Sequence, residues 1–193
     1  YYVKRVRILG PESSGKSTLA RALARRFQTV HVPEYAEKLI RVQNGRFEEA
    51  DLPVFVRGQR ADEQALARAA NRVLICDTDA LTTVVWSRLL YDRVDPLIKA
   101  AASVACYHLT LVCMPDVPYT PDVHRVDPDT RQDFLDLLLD ELRVRDVEPV
   151  LLSGDIAARE QAATAAIEAL IAPGAPGPGL AWPDAGSDGS SGA

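Results

Sequence analysis

The segment "VRILGPESSGKSTLARALA" constrains the fold of this chain more than any other part of its sequence. It contains the pattern Gly-x-x-x-x-Gly-Lys-Ser from Gly10 to Ser17, directly after a short apolar run and before leucines at helical spacing. The glycines let backbone N–H groups curve around phosphate oxygens, and a following helix N-terminus adds a favourable field for anions. The segment therefore predicts a strand, a phosphate-binding loop and a helix.

The side chains of this loop suit a nucleoside triphosphate bound together with a magnesium ion. Lys16 is long enough to reach the outer phosphates, and the Ser17 hydroxyl suits Mg²⁺. We therefore expect ATP and Mg²⁺ as cofactors. The predicted phosphate-binding residues are Gly10, Glu12, Ser13, Ser14, Gly15, Lys16, Ser17 and Thr18.

Beyond the loop, short apolar runs alternate with longer helical patterns. The predicted strands are residues 6–9, 29–32, 73–76, 108–113 and 149–153. This alternation favours right-handed crossovers and a parallel sheet with helices on both faces, which is an α/β fold. We predict one such domain over residues 1–172.

The composition changes near Pro173. Residues 173–193 hold six of the eleven glycines and four of the thirteen prolines. Such a segment has too little apolar surface to offset the entropy lost on ordering, so we predict a disordered tail.

Charge and composition exclude several classes of function. The net charge of −5 argues against a general nucleic-acid or anionic-membrane surface. No apolar run approaches the ~20 residues that cross a bilayer.

Because the chain begins at Tyr1 and its only methionine is Met114, we expect a fragment of a longer protein or a lost beginning. Three cysteines in or beside apolar runs predict buried, reduced thiols and a cytoplasmic protein. They are Cys76, Cys106 and Cys113.

Acidic residues follow two of the predicted strands, at the edge where open α/β sheets bind ligands. Asp77 comes directly after the third strand and is predicted to act at the site and to hold Mg²⁺. Asp79 either takes part in the site or caps the next helix. Glu34 follows the second strand. If that strand lies near the loop-bearing strand, Glu34 faces the volume beyond the γ-phosphate and can take the proton of an acceptor hydroxyl. Its alternative role is to start the following helix.

The polar, proline-rich segment 114–134 follows the fourth strand and predicts a lid over the phosphates. Arg125 is the first candidate for the positive charge that such a lid supplies, and Arg131 is the second. The alternative is a solvated loop with surface arginines. Arg57 and Arg60, on the helix around Gln59, either line an acceptor pocket or lie on an exposed helix face. These parts together suggest a phosphotransferase that acts on a small acceptor.

The order of the motifs resembles a known family. "ILGPESSGKSTLARALA", "PEYAE", "GQR", "CDTDALTT" and "HLTLVCMPDVPY", followed by an arginine-bearing lid, resemble the ribosylnicotinamide kinase domain of NadR-type proteins over roughly residues 5–170. The resemblance implies a P-loop NTPase three-layer sandwich whose five-stranded parallel sheet has the order 2-3-1-4-5. It implies ATP-dependent phosphorylation of the 5′-hydroxyl of nicotinamide riboside, and in many members an upstream adenylyltransferase domain in the same chain.

Residue by residue, the resemblance implies a catalytic set and an acceptor set. The catalytic set is Lys16, Glu34, Asp77 and Arg125, the acceptor set is Glu34, Tyr35, Gln59, Asp77 and Asp79, and the metal ligands are Ser17 and Asp77. The chain departs from the family at Glu37, where arginine is frequent, and in the lid "PYTPDVHR". These departures keep open a kinase for another nucleoside or nucleotide, and an ATP-sensing module remains a further alternative. A cationic, flat nicotinamide ring favours aromatic faces and carboxylates. Tyr35, Trp86, Tyr91 and Tyr119 could supply the faces, although packing in the core is the alternative role for Trp86.

Overall fold

The computed structural model describes residues 3–116 and 128–173 of the 193-residue chain. The predictions made for Tyr119, for the lid residue Arg125 and for the tail beyond residue 173 concern residues outside these ranges.

In the part of the chain that the structure describes, five parallel strands form one sheet in the order β2-β3-β1-β4-β5. They are β1 (Lys4–Leu9), β2 (His31–Val32), β3 (Val73–Asp77), β4 (Leu109–Cys113) and β5 (Val150–Leu152). The predicted fold class and strand order are thus confirmed. β3 lies between β2 and β1, so the strand that precedes Glu34 is one place removed from the loop-bearing strand.

Within the described residues, seven α-helices and one short 3-10 helix connect and follow these strands. They are α1 (Lys16–Arg26), α2 (Tyr35–Val42), the 3-10 helix (Glu49–Asp51), α3 (Leu52–Leu66), α4 (Ala80–Tyr91), α5 (Pro96–Ser103), α6 (Pro128–Val144) and α7 (Ile156–Ile171). Pro53 lies in the first turn of α3, where its missing N–H does no harm.

Two elements are shorter than their patterns predict. The predicted strand 29–32 is reduced to His31 and Val32, because the Thr29 hydroxyl donates to Val73 O at 2.6 Å and accepts from Asn71 N at 2.9 Å. The third helix ends at Leu66 instead of near Arg72, which adopts a left-handed φ of 63° as the chain turns into β3.

Alternating residues of β1 face two different apolar layers, as a strand buried on both faces requires. Val6 and Ile8 pack with α1 and α7, whereas Leu9 belongs to the cluster formed with α3, α4, α5 and α6. Arg7 is buried within this central strand. The sheet is therefore covered on both faces, and the carboxyl ends of its strands meet at one edge.

The prediction of three buried thiols is wrong for one of them. Cys76 and Cys113 are buried in strands, but Cys106 is exposed in the connection between α5 and β4. Cys106 lies three positions before Leu109, where β4 begins, so its apolar neighbours in sequence do not cover it. Within residues 3–116 and 128–173, no helix combines the length and the apolar character needed to span a membrane.

Candidate active site

The loop between β1 and α1 has the shape of a phosphate cradle. Gly15 adopts φ 85° and Gly10 adopts φ 139°, both in the region that favours glycine. A Cβ atom at Gly10 would also lie 2.5 Å from Cys113 O, so this position additionally requires close approach to β4. Ser13 has a left-handed φ of 56° as well. The loop therefore needs its glycines for backbone conformation and for packing against the sheet.

The end of α1 that faces this loop is open to an anion. Gly15 is its N-cap and supplies no side-chain hydrogen bond, so no side chain of the cap occupies the first-turn N–H groups. The Lys16 ammonium lies within the loop and donates to Pro11 O at 2.9 Å, and the Ser14 hydroxyl donates to the same carbonyl at 2.7 Å. The predicted loop residues line a cleft of about 550 Å³ with room for phosphates.

Asp77 fits the predicted role of a magnesium ligand. It ends β3, is almost fully buried, and has the Ser17 side chain nearby, which favours its charged form. Its Oδ1 atom is buried without a hydrogen-bond partner, which leaves an oxygen ligand available. Burial raises the pKa of Asp77, while Lys16 and the Ser17 hydrogen bond oppose that rise. The described residues contain no cluster of three or more metal-binding side chains, but Mg²⁺ uses one or two carboxylates together with substrate phosphates.

Glu34 does not cap the helix that it precedes. It occupies the N-cap position of α2, yet its side chain makes no capping hydrogen bond. Its side chain instead lines both the phosphate cleft and the adjoining pocket described below. Burial raises the pKa of Glu34 to about 7, and Asp77, Glu37 and Glu12 add to this rise while Lys16 opposes it. A half-buried carboxyl with this pKa can accept a proton near neutral pH.

Asp79 caps α4, which is one of the two roles that the sequence suggested for it. Its Oδ1 accepts from Leu81 N at 2.9 Å at the start of α4, and its Oδ2 accepts from Arg7 Nη1 at 2.5 Å. Both oxygens of this buried carboxylate therefore have partners within the protein. The residue still lines the second pocket described below.

A second cavity of about 190 Å³ opens beside the phosphate cleft, and we call it the acceptor pocket. It shares Glu12, Glu34, Ile40, Thr82 and Trp86 with the cleft. The remaining wall is mainly apolar and aromatic, with Gln59, Thr78, Asp79 and Thr83 as polar members. The apolar residues that line it are Ala36, Ile40, Phe47, Leu52, Phe55 and Leu90. No lysine, arginine or histidine among the described residues lines this pocket.

The aromatic residues considered from the sequence have different surroundings. Trp86 lines both cavities and also packs against Phe134, with ring centroids 4.9 Å apart, so it serves the pocket and the core together. The Tyr35 ring packs against α3, where a Cβ atom at Gly58 would lie 2.2 Å from Tyr35 Cε1. Tyr91 is half-buried against the core at the end of α4.

Gln59 links two backbone segments of the site, one beside Glu34 and one at Asp77. Its Oε1 accepts from Tyr35 N at 2.9 Å, and its Nε2 donates to Asp77 O at 3.4 Å. It thereby joins the start of α2 to the end of β3. The neighbouring Arg57 and Arg60 lie on the exposed face of α3, which was the alternative to lining an acceptor pocket. Arg60 borders a different cleft near Arg5.

Two buried arginines support the phosphate loop from behind. Arg131, the second lid candidate, lies in α6 and donates to Ser13 O at 3.5 Å. Arg159, in α7, was not singled out from the sequence. It donates to Ser14 O at 2.6 Å, to Met114 O at 2.9 Å and to Gly154 O at 2.9 Å, and it pairs with Asp116. An arginine in the first turn of a helix that follows a strand is only a weak signal, because such residues are commonly exposed.

Comparisons with known proteins agree with this arrangement. A family model described as an AAA domain matches residues 5–159. The chain is 30% identical over 157 residues to the trifunctional NAD biosynthesis/regulator protein NadR of Escherichia coli. That match covers 77% of this chain and 38% of NadR, so the chain spans well under half the length of this curated relative.

Solved structures show the same fold. A NadR protein in complex with NAD and AMP-PNP aligns with a TM-score of 0.76 at 23% identity, over 88% of this chain and 50% of that one. A NadR protein in complex with NR aligns with a TM-score of 0.76 at 24% identity, over 86% of this chain and 50% of that one. A thymidylate kinase from Ehrlichia chaffeensis aligns with a TM-score of 0.60 at 15% identity, over 86% of this chain and all of that one.

These matches confirm the resemblance to NadR-type proteins that the motifs indicate, and they show a fold shared with nucleoside and nucleotide kinases. The extent of the family match settles the classification: the chain belongs to the AAA domain family whose model it matches over residues 5–159.

Proposed function

We propose that this chain transfers the γ-phosphoryl group of ATP to the 5′-hydroxyl of nicotinamide riboside, giving nicotinamide mononucleotide for NAD biosynthesis or salvage. The observation that carries the proposal is the acceptor pocket, which opens into the phosphate cleft and combines aromatic faces with carboxylates. The similarity to a NadR protein in complex with NR supports the choice of acceptor.

The charges around the acceptor pocket favour a cationic ring. Glu12 and Glu34 line the pocket, and Asp77 and Glu37 add negative charge around Glu34. The nicotinamide ring of the riboside carries a positive charge, which carboxylates and the face of Trp86 attract. A neutral nucleoside base gains less from the same walls, and a nucleoside monophosphate would bring its negative charge towards them.

Glu34 is the proposed general base. It lies where the phosphate cleft and the acceptor pocket meet, which is where an acceptor hydroxyl must approach the γ-phosphate in line. With a pKa of about 7, its carboxylate is substantially ionised at neutral pH and remains basic enough to accept the hydroxyl proton. Asp77, whose charged form Lys16 and Ser17 favour, is better suited to the metal than to the proton.

The phosphate loop performs the remaining electrostatic work. Its N–H groups and the open end of α1 hold the phosphates, and Lys16 neutralises charge that develops on the transferred group. Ser17 and Asp77 would hold Mg²⁺, which neutralises phosphate charge when it is bound. Lid closure by Arg125 and the tail after residue 172 remain predictions.

The wider context of the protein belongs to the proposal as well. The curated relative is trifunctional and much longer than this chain, so an adenylyltransferase domain in the same polypeptide would place both steps of NAD synthesis together. We expect small-molecule partners, without nucleic acid or membrane, and a cytoplasmic location.

An acceptor panel tests the proposed function. Release of ADP from Mg-ATP is measured with nicotinamide riboside, thymidine, deoxyadenosine, thymidine monophosphate or no acceptor, using Lys16→Ala as the inactive control. We expect turnover with nicotinamide riboside that exceeds every other acceptor by at least tenfold. Turnover of thymidine or deoxyadenosine without nicotinamide riboside would assign a different nucleoside kinase. ATP binding without ADP release for any acceptor would favour a sensing module.

A further inference from the structure

Arg7 lies in the middle of β1, where a charged side chain is least expected. It is 5% exposed and its strand is the central one of the sheet. Removing a guanidinium from water costs several kcal/mol unless its partners compensate. A residue with this environment therefore needs a defined set of contacts.

Three partners satisfy the Arg7 side chain. Its Nη1 donates to Asp79 Oδ2 at 2.5 Å, and its Nε donates to Thr110 Oγ1 at 2.9 Å. Thr110 is its register partner on β4, so the second contact crosses directly between adjacent strands. The guanidinium carbon also lies 4.9 Å from the centre of the Tyr107 ring. Two hydrogen-bonding contacts and a ring face fix the direction in which the guanidinium points.

The residue that Arg7 holds belongs to a strained turn. Between Asp77 and Asp79, Thr78 adopts φ 68°, which is rare for a β-branched residue. Strain of this kind persists only when surrounding contacts determine the conformation. Thr78 N donates to Ile8 O at 3.0 Å, and Arg7 holds Asp79 while Asp79 caps α4. Adjacent residues of β1 thus secure both Thr78 and Asp79.

This turn forms one side of the acceptor pocket. Thr78 and Asp79 line it, and the first two turns of α4 contribute Thr82, Thr83 and Trp86. A change in where α4 begins would therefore displace polar and aromatic walls of the pocket together. Phosphate binding depends chiefly on the loop between β1 and α1 and on the start of α1, so it should respond less to this change, even though Thr82 and Trp86 also border the phosphate cleft.

We propose that Arg7 is a positioning residue that sets acceptor affinity by fixing the Asp77–Asp79 turn and the start of α4. Arg7 lines neither the phosphate cleft nor the acceptor pocket. It acts through Asp79, and we expect its effect to be largest on the acceptor side of the site. The proposal depends on the proposed function only in the choice of nicotinamide riboside as the acceptor used to measure it.

The test compares Arg7→Lys with Arg5→Lys. Lysine at position 7 keeps a positive charge for Asp79 but cannot hold Asp79 and Thr110 together in the same geometry. Arg5 points to the same face of β1, is partly exposed, and forms a longer contact of 3.4 Å with Glu63. We expect Arg7→Lys to raise the KM for nicotinamide riboside about tenfold or more, with kcat and the KM for ATP within about twofold of wild type. Arg5→Lys should leave all three parameters within about twofold.

Hydrogen exchange supplies a readout that is independent of acceptor identity. Amides of residues 80–83 should exchange faster in Arg7→Lys than in wild type or Arg5→Lys, because the cap of α4 is less firmly held. If wild type does not phosphorylate nicotinamide riboside, the proposed function fails, and this exchange measurement still judges the role of Arg7.

A folded Arg7→Lys protein with unchanged exchange at residues 80–83, or with unchanged acceptor KM in an active enzyme, would overturn the proposal. A fall in thermal stability with both substrate KM values unchanged would assign Arg7 a purely structural role and would overturn it too. If Arg7→Lys does not fold, Thr110→Val removes one contact and keeps the ion pair. Thr110→Val should produce a smaller rise in the acceptor KM and in the exchange rate of residues 80–83. If neither quantity changes, the positioning role is refuted.

Discussion

Replacing Glu34 with glutamine tests the assignment of the general base. Glutamine keeps the size and the hydrogen-bonding capacity of the side chain but cannot take a proton from an acceptor hydroxyl. Because the Glu34 side chain makes no capping hydrogen bond to α2, the substitution removes no structural contact of the helix. We therefore expect a folded protein that binds ATP as wild type does and transfers phosphate poorly.

The size of the loss follows from the chemistry of the site. General-base catalysis contributes about 10²–10⁴-fold, so kcat should fall by at least about 100-fold. In wild type, a pKa of about 7 predicts that kcat/KM rises with pH and levels off above that value. Only about a tenth of Glu34 is ionised at pH 6, compared with about nine-tenths at pH 8. The Glu34→Gln protein should lose this pH dependence together with the rate.

The same substitution should change stability in a pH-dependent way. A carboxyl whose pKa rises from 4.5 to about 7 on folding penalises the folded state once it ionises. The penalty is absent below pH 4.5, grows as the pH rises through this interval and is complete above pH 7. Its upper limit is about 3 kcal/mol, and the partial solvent access of Glu34 reduces it. Glu34→Gln should therefore be more stable than wild type at pH 8 and equal to it near pH 4.5.

Two measurements decide this prediction. ADP release between pH 5.5 and 9 gives the rate profile, and thermal unfolding at pH 4.5 and pH 8 gives the stability difference. Glu168→Gln is the matched control, because it neutralises a carboxylate that is 60% exposed on α7. A Glu34→Gln enzyme with near wild-type kcat and an unchanged pH profile would refute the base assignment.

Three further substitutions probe the metal, the phosphate loop and the packing of the site. Asp77→Asn should lower kcat at least about 100-fold, because it removes the negative charge beside Ser17. It should also raise the Mg²⁺ concentration at the midpoint of a titration of ADP release, and an unchanged midpoint would contradict the ligand role. Arg159→Lys should raise the KM for ATP about tenfold and leave the acceptor KM unchanged, since Arg159 holds Ser14 O; equal effects on both KM values would argue against it. Gly58→Ala places a Cβ atom 2.2 Å from the Tyr35 ring and should lower the free energy of unfolding by about 1–3 kcal/mol, seen as a reduced denaturation midpoint; an unchanged midpoint would show that the ring moves freely.

The features that could be predicted from the sequence are those that local patterns encode. The phosphate loop, the alternation of strands and helices and the position of Asp77 at the end of β3 all follow from contiguous residues. The strand order came from the family resemblance, because alternation alone does not specify which strands are neighbours. The role of Glu34 could be predicted only from the local pattern and the strand order together, since it depends on which strand end lies near the phosphates.

Buried arginines were the features that sequence patterns could not reveal. Arg7 breaks an apolar strand and Arg159 lies in an alanine-rich helix, so each resembles a surface charge until its partners are known. Those partners are distant along the chain: 72 residues separate Arg7 from Asp79, and 145 separate Arg159 from Ser14. Composition and hydrophobic periodicity are properties of windows far shorter than these separations.

The two arginines support different halves of the site, Arg159 the ATP side and Arg7 the acceptor side. Arg159 contacts the phosphate loop, the end of β4 and the loop after β5, whereas Arg7 contacts β4 and the turn that leads into α4. Arg159→Lys should therefore act on the KM for ATP and Arg7→Lys on the KM for the acceptor. Because neither side chain lines the two cavities, such opposite selectivity could not come from lost substrate contacts. It would show that each half of the site is held in place separately, and that acceptor preference can change through the Asp77–Asp79 turn while the ATP cradle stays intact.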